Sequence, residues 1–306
     1  MRKNNFLWYF FLLALTNLIW SGQGTAVKFL SRHLGPIAIT FLPFYITTVL
    51  MIPLLLRARR GNPDSVKPAW SDWTKFAVAG IGGQMVAQLG MTWGISKSLA
   101  SNGAILNLLI PVITAVFASA MLRERMTGVR WAALGGGLLG VLLLSVDDLR
   151  QSSFLRMKYL GGNLLIFGGC AGSSFYNVYC KGLLKRFQEI EILIFSYIFA
   201  SLASAPLLVF AEPFHISALA AFDWQSWVAF AFLALLMYGL SMLLFFHVLQ
   251  HLDVTVASSS LYLVPVFGVI IAAVFLGERL SGVGLCGTGI VLASTILIMN
   301  YDHERG

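Results

Sequence analysis

The sequence predicts an all-α integral membrane protein of ten transmembrane helices, built as two inverted five-helix repeats around a central cavity. Three observations carry this expectation. Hydrophobic residues make up 58% of the 306 and charged residues 11%, against roughly 25% charge in soluble domains, and the mean hydropathy is +0.80. The apolar stretches approach or exceed the roughly 20 residues that cross a ~30 Å hydrocarbon core as helix, whereas barrel strands would be about half as long and alternate in polarity. The second half also echoes the first. Leu122-Arg123-Glu124-Arg125 recurs as Leu276-Gly277-Glu278-Arg279, an offset of 154 (278 − 124) that aligns Trp73 with Trp227, Pro111 with Pro265, Val112 with Val266, Gly128 with Gly282 and Gly135 with Gly289 without gaps.

The spans follow in order. The first, 7–29, comes after Arg2 and Lys3 and resembles the start of a secretion signal. It outruns a signal's short apolar core, and removing it would break the five-plus-five pattern, so it reads as a retained helix. The second, 37–56, stops at Arg57, Arg59 and Arg60, and the third, 73–95, carries Gln84 and Gln88. The fourth, 99–122, contains Pro111 and ends at Arg123-Glu124-Arg125; the fifth, 129–146, ends at Asp147-Asp148. The sixth, 160–183, ends near Lys181, Lys185 and Arg186, and the seventh is 190–211. The eighth, 227–249, ends beside His247 and His251; the ninth, 254–276, contains Pro265 and ends at Gly277-Glu278-Arg279; the tenth is 283–299. The domain reading is a first repeat at 1–147, a linker at 148–159 containing Gln151-Ser152-Ser153, and a second repeat at 160–306.

Orientation follows the distribution of Lys and Arg in short loops. With the N-terminus cytoplasmic, 14 of the 21 Lys and Arg residues fall on the cytoplasmic side and 7 on the other. Both termini are therefore expected inside a cytoplasmic (inner) membrane, and an odd number of spans per repeat inverts the second repeat. The net charge of +8 comes largely from these loops, so it points to anionic headgroups and not to nucleic acid. Cys170, Cys180 and Cys286 are scattered without paired spacing and read as packing residues.

Candidate site residues come from helix defects and intramembrane polarity. Proline cannot donate to the carbonyl four residues earlier, so Pro111 frees that of Asn107 and Pro265 that of Leu261. Freed carbonyls within a bilayer need a polar neighbour or water. Both prolines fall at equivalent repeat positions, which favours a working break over an incidental kink. Gln84 and Gln88 stand one turn apart on one face, and at the 154 offset Gln84 matches Tyr238. Trp20, Gln84, Gln88, Asn107, Tyr176, Asn177, Tyr238 and Tyr262 are expected to line the cavity, with Pro111 and Pro265 as break points. The glycines around them read mainly as helix-packing positions.

Charge is informative by its absence. A Lys, Arg or Asp at a helix centre costs roughly 2.5–3.5 kcal/mol to insert, and none lies well inside a span. Glu124 and Glu278 sit at helix ends beside Arg125 and Arg279, as structural turns or salt links in preference to ion-coupling groups. His247 and His251 have the spacing of a zinc pair, but Val248-Leu249-Gln250 between them lacks the HExxH glutamate; they read as interfacial, with a proton role open for His247. No metal or cofactor site is expected.

Ile19-Trp20, Ala104…Pro111, Glu124, and Ser258-Ser259…Pro265…Gly277-Glu278-Arg279-Leu280, in this order and spacing, resemble the EamA family of the drug/metabolite transporter superfamily over nearly the whole chain. The chain has Trp20-Ser21 where members often carry Trp-Gly, and Pro43-Phe44 where they carry Arg-Phe. The resemblance implies a ten-helix bundle with a central cavity that exports or exchanges small metabolites such as amino acids and related compounds; the sequence leaves the oligomeric state open between monomer and homodimer. The residues themselves favour an uncharged or zwitterionic substrate, with coupling either to protons or to exchange. A non-transporting sensor or scaffold and a membrane-embedded enzyme are the alternatives. Neither a signalling domain nor a nucleophile–base pair stands out to support them.

Overall fold

The computed structural model describes residues 3–61, 66–98, 100–144, 157–212, 215–276 and 282–303. Among these, every regular element is helical. Helix α1 runs Lys3–Ser21 and continues as Gln23–Leu30; α2 is Pro36–Gly61 with Pro43 and Pro53 inside it. Helix α3 passes from Trp70–Ala77 through a π-helical segment, Val78–Met85, into Val86–Ser96. Helix α4 is broken, Ala100–Asn107 then Ile110–Phe117, and ends in π-helical Ala118–Leu122. Gly128–Leu144 is α5 and Met157–Leu183 is α6. Helix α7, Glu189–Phe210, is followed by a single turn at Ser217–Ala220. Helix α8 runs Trp224–Ala231, π-helical Phe232–Leu240 and Ser241–His251. Helix α9 is Val254–Ser259, a 3₁₀ turn at Ser260–Tyr262, and Leu263–Leu276; α10 is Gly282–His303.

A helical stretch underlies each predicted span. Six are long and apolar enough to cross a membrane by length and composition: Leu7–Leu30, Pro36–Gly61, Asn102–Leu122, Glu189–Phe210, Trp224–His251 and Gly282–Tyr301. Apolar stretches in α5 and α9 are shorter. Helices α3 and α6, rich in glycine, amide and hydroxyl groups, are not among the six. The chain is a multi-pass helical membrane protein. Most of the predicted linker 148–159, together with Glu278 and Arg279, lies outside the described residues.

The 154 offset carries over into the backbone. Residues 70–77, 78–85 and 86–96 of α3 map onto 224–231, 232–239 and 240–250 of α8, so α then π then α recurs at matching positions. The break at Leu108-Leu109 in α4 likewise maps next to the 3₁₀ turn of α9. The principal packing pairs cross between the halves: α3 with α6, α1 with α8 and α9, α2 and the π segment of α3 with α7, α4 with α6, and α5 with α10.

Glycines set the closeness of the α3–α6 pair. A Cβ on Gly90 would lie 2.6 Å from the Cα of Gly169, and one on Gly83 would lie 2.8 Å from the Cβ of Tyr176. This is the small-residue packing of membrane helices, where backbone approach replaces a hydrophobic drive. Two apolar clusters result. The larger spans most of the helices and includes Phe44, Tyr176, Tyr197, Tyr238 and Phe246. The smaller joins α4, α5, α9 and α10 around Leu108, Leu134, Tyr262, Val266 and Val291.

Charge concentrates at helix ends. Arg59 pairs with buried Glu191 at 2.9 Å, Arg186 with buried Asp72 at 3.0 Å, and Arg130 with Asp253. Lys181 Nζ donates to the carbonyls of Leu249 and Leu252. Glu124 makes no ion pair with Arg125. Its carboxylate turns to the other half and accepts from the backbone of Val254 and Thr255.

Candidate functional site

The π segments place the candidate residues of α3 and α8. A π turn widens the helix and loosens its internal hydrogen bonding, and such turns are frequent at functional sites. In α8 the loosened carbonyls find donors on other helices: Thr47 Oγ1 donates to Ala234 O at 2.6 Å, and Tyr197 OH to Tyr238 O at 3.0 Å. Tyr238 is buried, its ring edge-on to Phe44 at 5.2 Å, and its hydroxyl makes no hydrogen bond among the described residues. Gln84, in the π segment of α3, is also buried, and its side chain makes no hydrogen bond among the described residues. Asn177 on α6 shares that condition. Because Gly83 touches Tyr176, Gln84 and Asn177 stand at the same α3–α6 crossing.

Other predicted residues are tied to neighbours. Trp20 Nε1 donates to Ser241 Oγ at 2.8 Å, and its ring packs on Phe245 at 5.3 Å. Tyr176 OH lies 2.9 Å from Ser196 Oγ, its ring 5.7 Å from Phe246. Asn107 is half-buried and accepts from Cys170 Sγ at 3.6 Å through its Oδ1, while Gln88 is half-buried one turn beyond Gln84. Trp20, Tyr176 and Tyr238 meet in the larger cluster. Tyr262 stands apart in the smaller one, its ring against Gly137 and its buried hydroxyl without a partner among the described residues.

At the α4 break, the donors of α6 reach either side of the expected carbonyl: Cys170 Sγ to Leu106 O at 3.4 Å and Ser174 Oγ to Ile110 O at 3.1 Å. At the α9 break, Ser258, Ser259 and Ser260 each bond back to the carbonyl three residues earlier, at 3.1, 2.7 and 2.7 Å. Ser260 also accepts from Asn17 Nδ2 at 2.9 Å. Asn17 and Thr16 were missed by the sequence reading; both are fully buried, and Asn17 Oδ1 and Thr16 Oγ1 have no partner among the described residues. Their signal was a polar pair inside the apolar run of α1. His247 Nδ1 lies 3.1 Å from Glu189 Oε1, and His251 stacks on Tyr9 at 4.9 Å.

An apolar groove of about 190 Å³ opens between α2 and α8, lined by Thr47, Leu50, Leu54, Leu235, Leu240 and Leu243 among others, and no predicted cavity residue borders it. Outside the spans, burial pushes the Glu124 carboxyl up, with Asp253 adding to the effect. Hydrogen bonds from Lys75 and from the Ala69 backbone hold that of Asp72 down, against its burial.

The model of the EamA-like transporter family matches residues 7–146 and again 160–300. The chain belongs to that family. Its two matches make this a two-repeat EamA transporter, a membrane transporter by family. An uncharacterized transporter of Archaeoglobus fulgidus is 25% identical over 291 residues, covering 94% of this chain and 97% of that protein. A probable terminal-alkyne amino-acid exporter of Streptantibioticus cattleyicolor is 23% identical over 298 residues, covering 97% and 94%. A solved crystal structure shares the fold, with a TM-score of 0.77 at 20% identity over 94% of each chain.

Proposed function

We propose that this EamA transporter carries a small uncharged or zwitterionic metabolite, an amino acid or a related compound, out of the cell by alternating access. In this reading ten helices cross the cytoplasmic membrane as two inverted repeats, 1–147 and 160–306, joined by 148–159, with both termini inside. The substrate passes between the two apolar clusters and meets Gln84, Gln88, Asn107, Asn177, Tyr238 and Tyr262, with Trp20 and Tyr176 as the aromatic wall and the breaks at Pro111 and Pro265 as hinges. The observation that carries the reading is the pair of amides on Gln84 and Asn177, two largely buried residues at the α3–α6 crossing whose side chains make no hydrogen bond among the described residues. Amides that no neighbouring side chain or carbonyl occupies keep their donors and acceptors available to a substrate or water. Neutral amides suit a ligand with no net charge. The name of the Streptantibioticus relative supports an amino-acid substrate and export.

The test is flux of a pooled labelled metabolite set in proteoliposomes, with and without a pH gradient, against empty vesicles. Selective saturable flux is expected, reduced by Gln84→Ala and Asn177→Ala; the response to the gradient separates proton coupling from exchange. Folded protein that moves nothing, or alanine variants with wild-type flux and affinity, would overturn the reading.

A further inference from the structure

Two carboxylates, one from each half of the chain, grip the main chain of the other half. Glu124, in the connection after α4, accepts from Val254 N at 2.7 Å, Thr255 N at 3.2 Å and Thr255 Oγ1 at 2.7 Å. Glu212, in the connection after α7, accepts from Ile37 N at 3.1 Å and Ala38 N at 3.0 Å, through separate oxygens. Long helices joined by short connections reverse direction at each connection. The connections after α4 and α8 therefore share one face, and those after α1 and α7 share the other. The two grips stand at opposite ends of the bundle, and each ties one half to its counterpart.

The surroundings differ as a closed end and a lighter one would. At the Glu124 end, the pairs Arg59–Glu191, Arg186–Asp72 and Arg130–Asp253 also cross between the halves. At the Glu212 end, the carboxylate occupies space that exists because residue 35 is glycine: a Cβ there would lie 2.3 Å from Glu212 Cδ. Hydrogen bonds to an ionised acceptor are roughly twice as strong as neutral ones, yet no covalent or apolar core change is needed to break them.

We propose that Glu124 and Glu212 are opposed gates of the transport cycle, each closing its own face by holding the other half. This rests on the alternating-access reading above. Two halves that rock about a central site open one face as the other closes, so release of one carboxylate favours opening at its own end and leaves the other grip engaged. A purely structural cap behaves differently: its loss weakens the fold without favouring either face.

The test uses the full chain in lipid nanodiscs with nitroxide pairs at each end, Thr127→Cys with Gln250→Cys, and Ser31→Cys with Ser217→Cys. The exposed Cys286 is removed by Cys286→Ser; Cys170 and Cys180 are buried. Glu124→Ala is expected to raise the long-distance to short-distance ratio of the 127/250 pair roughly tenfold, the order set by losing hydrogen bonds to a charged acceptor, without lengthening the 31/217 pair. Glu212→Ala reverses the pattern. Thr255→Val and Gly35→Ala, which disturb the grips while keeping both carboxylates, shift the same pairs in the same directions to a smaller extent and cover the case in which an alanine variant fails to fold. Movement of the same pair in both sets, or of neither, overturns the proposal. Opposed shifts in protein that carries no flux would sink the transport reading and leave the gates standing as a conformational device; flux with unresponsive distances would sink the gates alone.

Discussion

Gly90→Ala tests whether the α3–α6 contact governs stability. An added Cβ at Gly90 lies 2.6 Å from Gly169 Cα, Gly169 N and Leu165 O, all backbone atoms that no side-chain rotation can clear. Reaching an ordinary contact of 3.4 Å requires a separation of about 0.8 Å (3.4 − 2.6). A gap of this size forfeits a quarter to a half of each dispersion well it opens, and overpacking of a fitted contact costs typically ~1–3 kcal/mol. The gain from replacing glycine by alanine within a helix offsets up to ~1 kcal/mol. The expected net loss is ~0–2 kcal/mol. Gly168→Ala is the control, because a Cβ there meets nothing within 4 Å; it gains the helix term alone and is expected to be neutral or stabilising by up to ~1 kcal/mol. Reversible unfolding in mixed micelles reads both; the helix term is common to the two, so they are separated by the overpacking cost of ~1–3 kcal/mol. If Gly90→Ala falls within about 0.5 kcal/mol of Gly168→Ala, backbone approach at this crossing is not what holds the halves together.

Tyr176→Phe removes a hydroxyl bonded to Ser196 and is expected to lose about 1 kcal/mol, whereas Tyr262→Phe deletes an orphaned buried hydroxyl and should leave stability equal or higher; flux that falls in Tyr262→Phe despite intact melting would assign that hydroxyl to the substrate. Ser241→Ala takes away the acceptor of Trp20 Nε1, and a loss of about 1 kcal/mol with a red-shifted or broadened Trp emission is the expected signature. Asp72→Asn bears on pH. The Asp72 carboxyl is held below the ordinary carboxylate range, so its contribution is present above the unfolded-state pKa and disappears as pH falls through the lowered folded value. The melting gap between wild type and Asp72→Asn should therefore be full at neutral pH and close on acidification through that window; a gap that stays constant with pH refutes the assignment.

The repeat was legible because an ungapped offset leaves matching residues in place, and Leu122–Arg125 against Leu276–Arg279 announces it. The breaks were legible for a related reason: proline lacks an N–H, so Pro111 and Pro265 mark their helices in the sequence itself. The π segments carry no such mark. Neither Val78–Met85 nor Phe232–Leu240 contains a proline, and in the second the carbonyls of Ala234 and Tyr238 take donors from distant residues, Thr47 and Tyr197. The partner of Glu124 was hidden in the same way, since nothing near residue 124 indicates that its acceptors meet the amides of 254 and 255. Gln84 and Asn177 were singled out by their polarity, and the fold brings them to one crossing. Tyr262 was grouped with them by residue type, but its helix delivers it to the other apolar cluster.

The crossed packing of the halves has a consequence during synthesis. Helix α3 finds its closest partner in α6, α1 in α8 and α9, and α5 in α10, so each early helix waits for one that is made later. The first five helices leave the ribosome with their matching faces uncovered, and the bundle has a long mean sequence separation between contacts, which slows folding and prolongs exposure of adhesive surfaces. Neither half is then expected to persist by itself. Two separately translated halves, inserted into the same membrane, should find one another and rebuild the same interface.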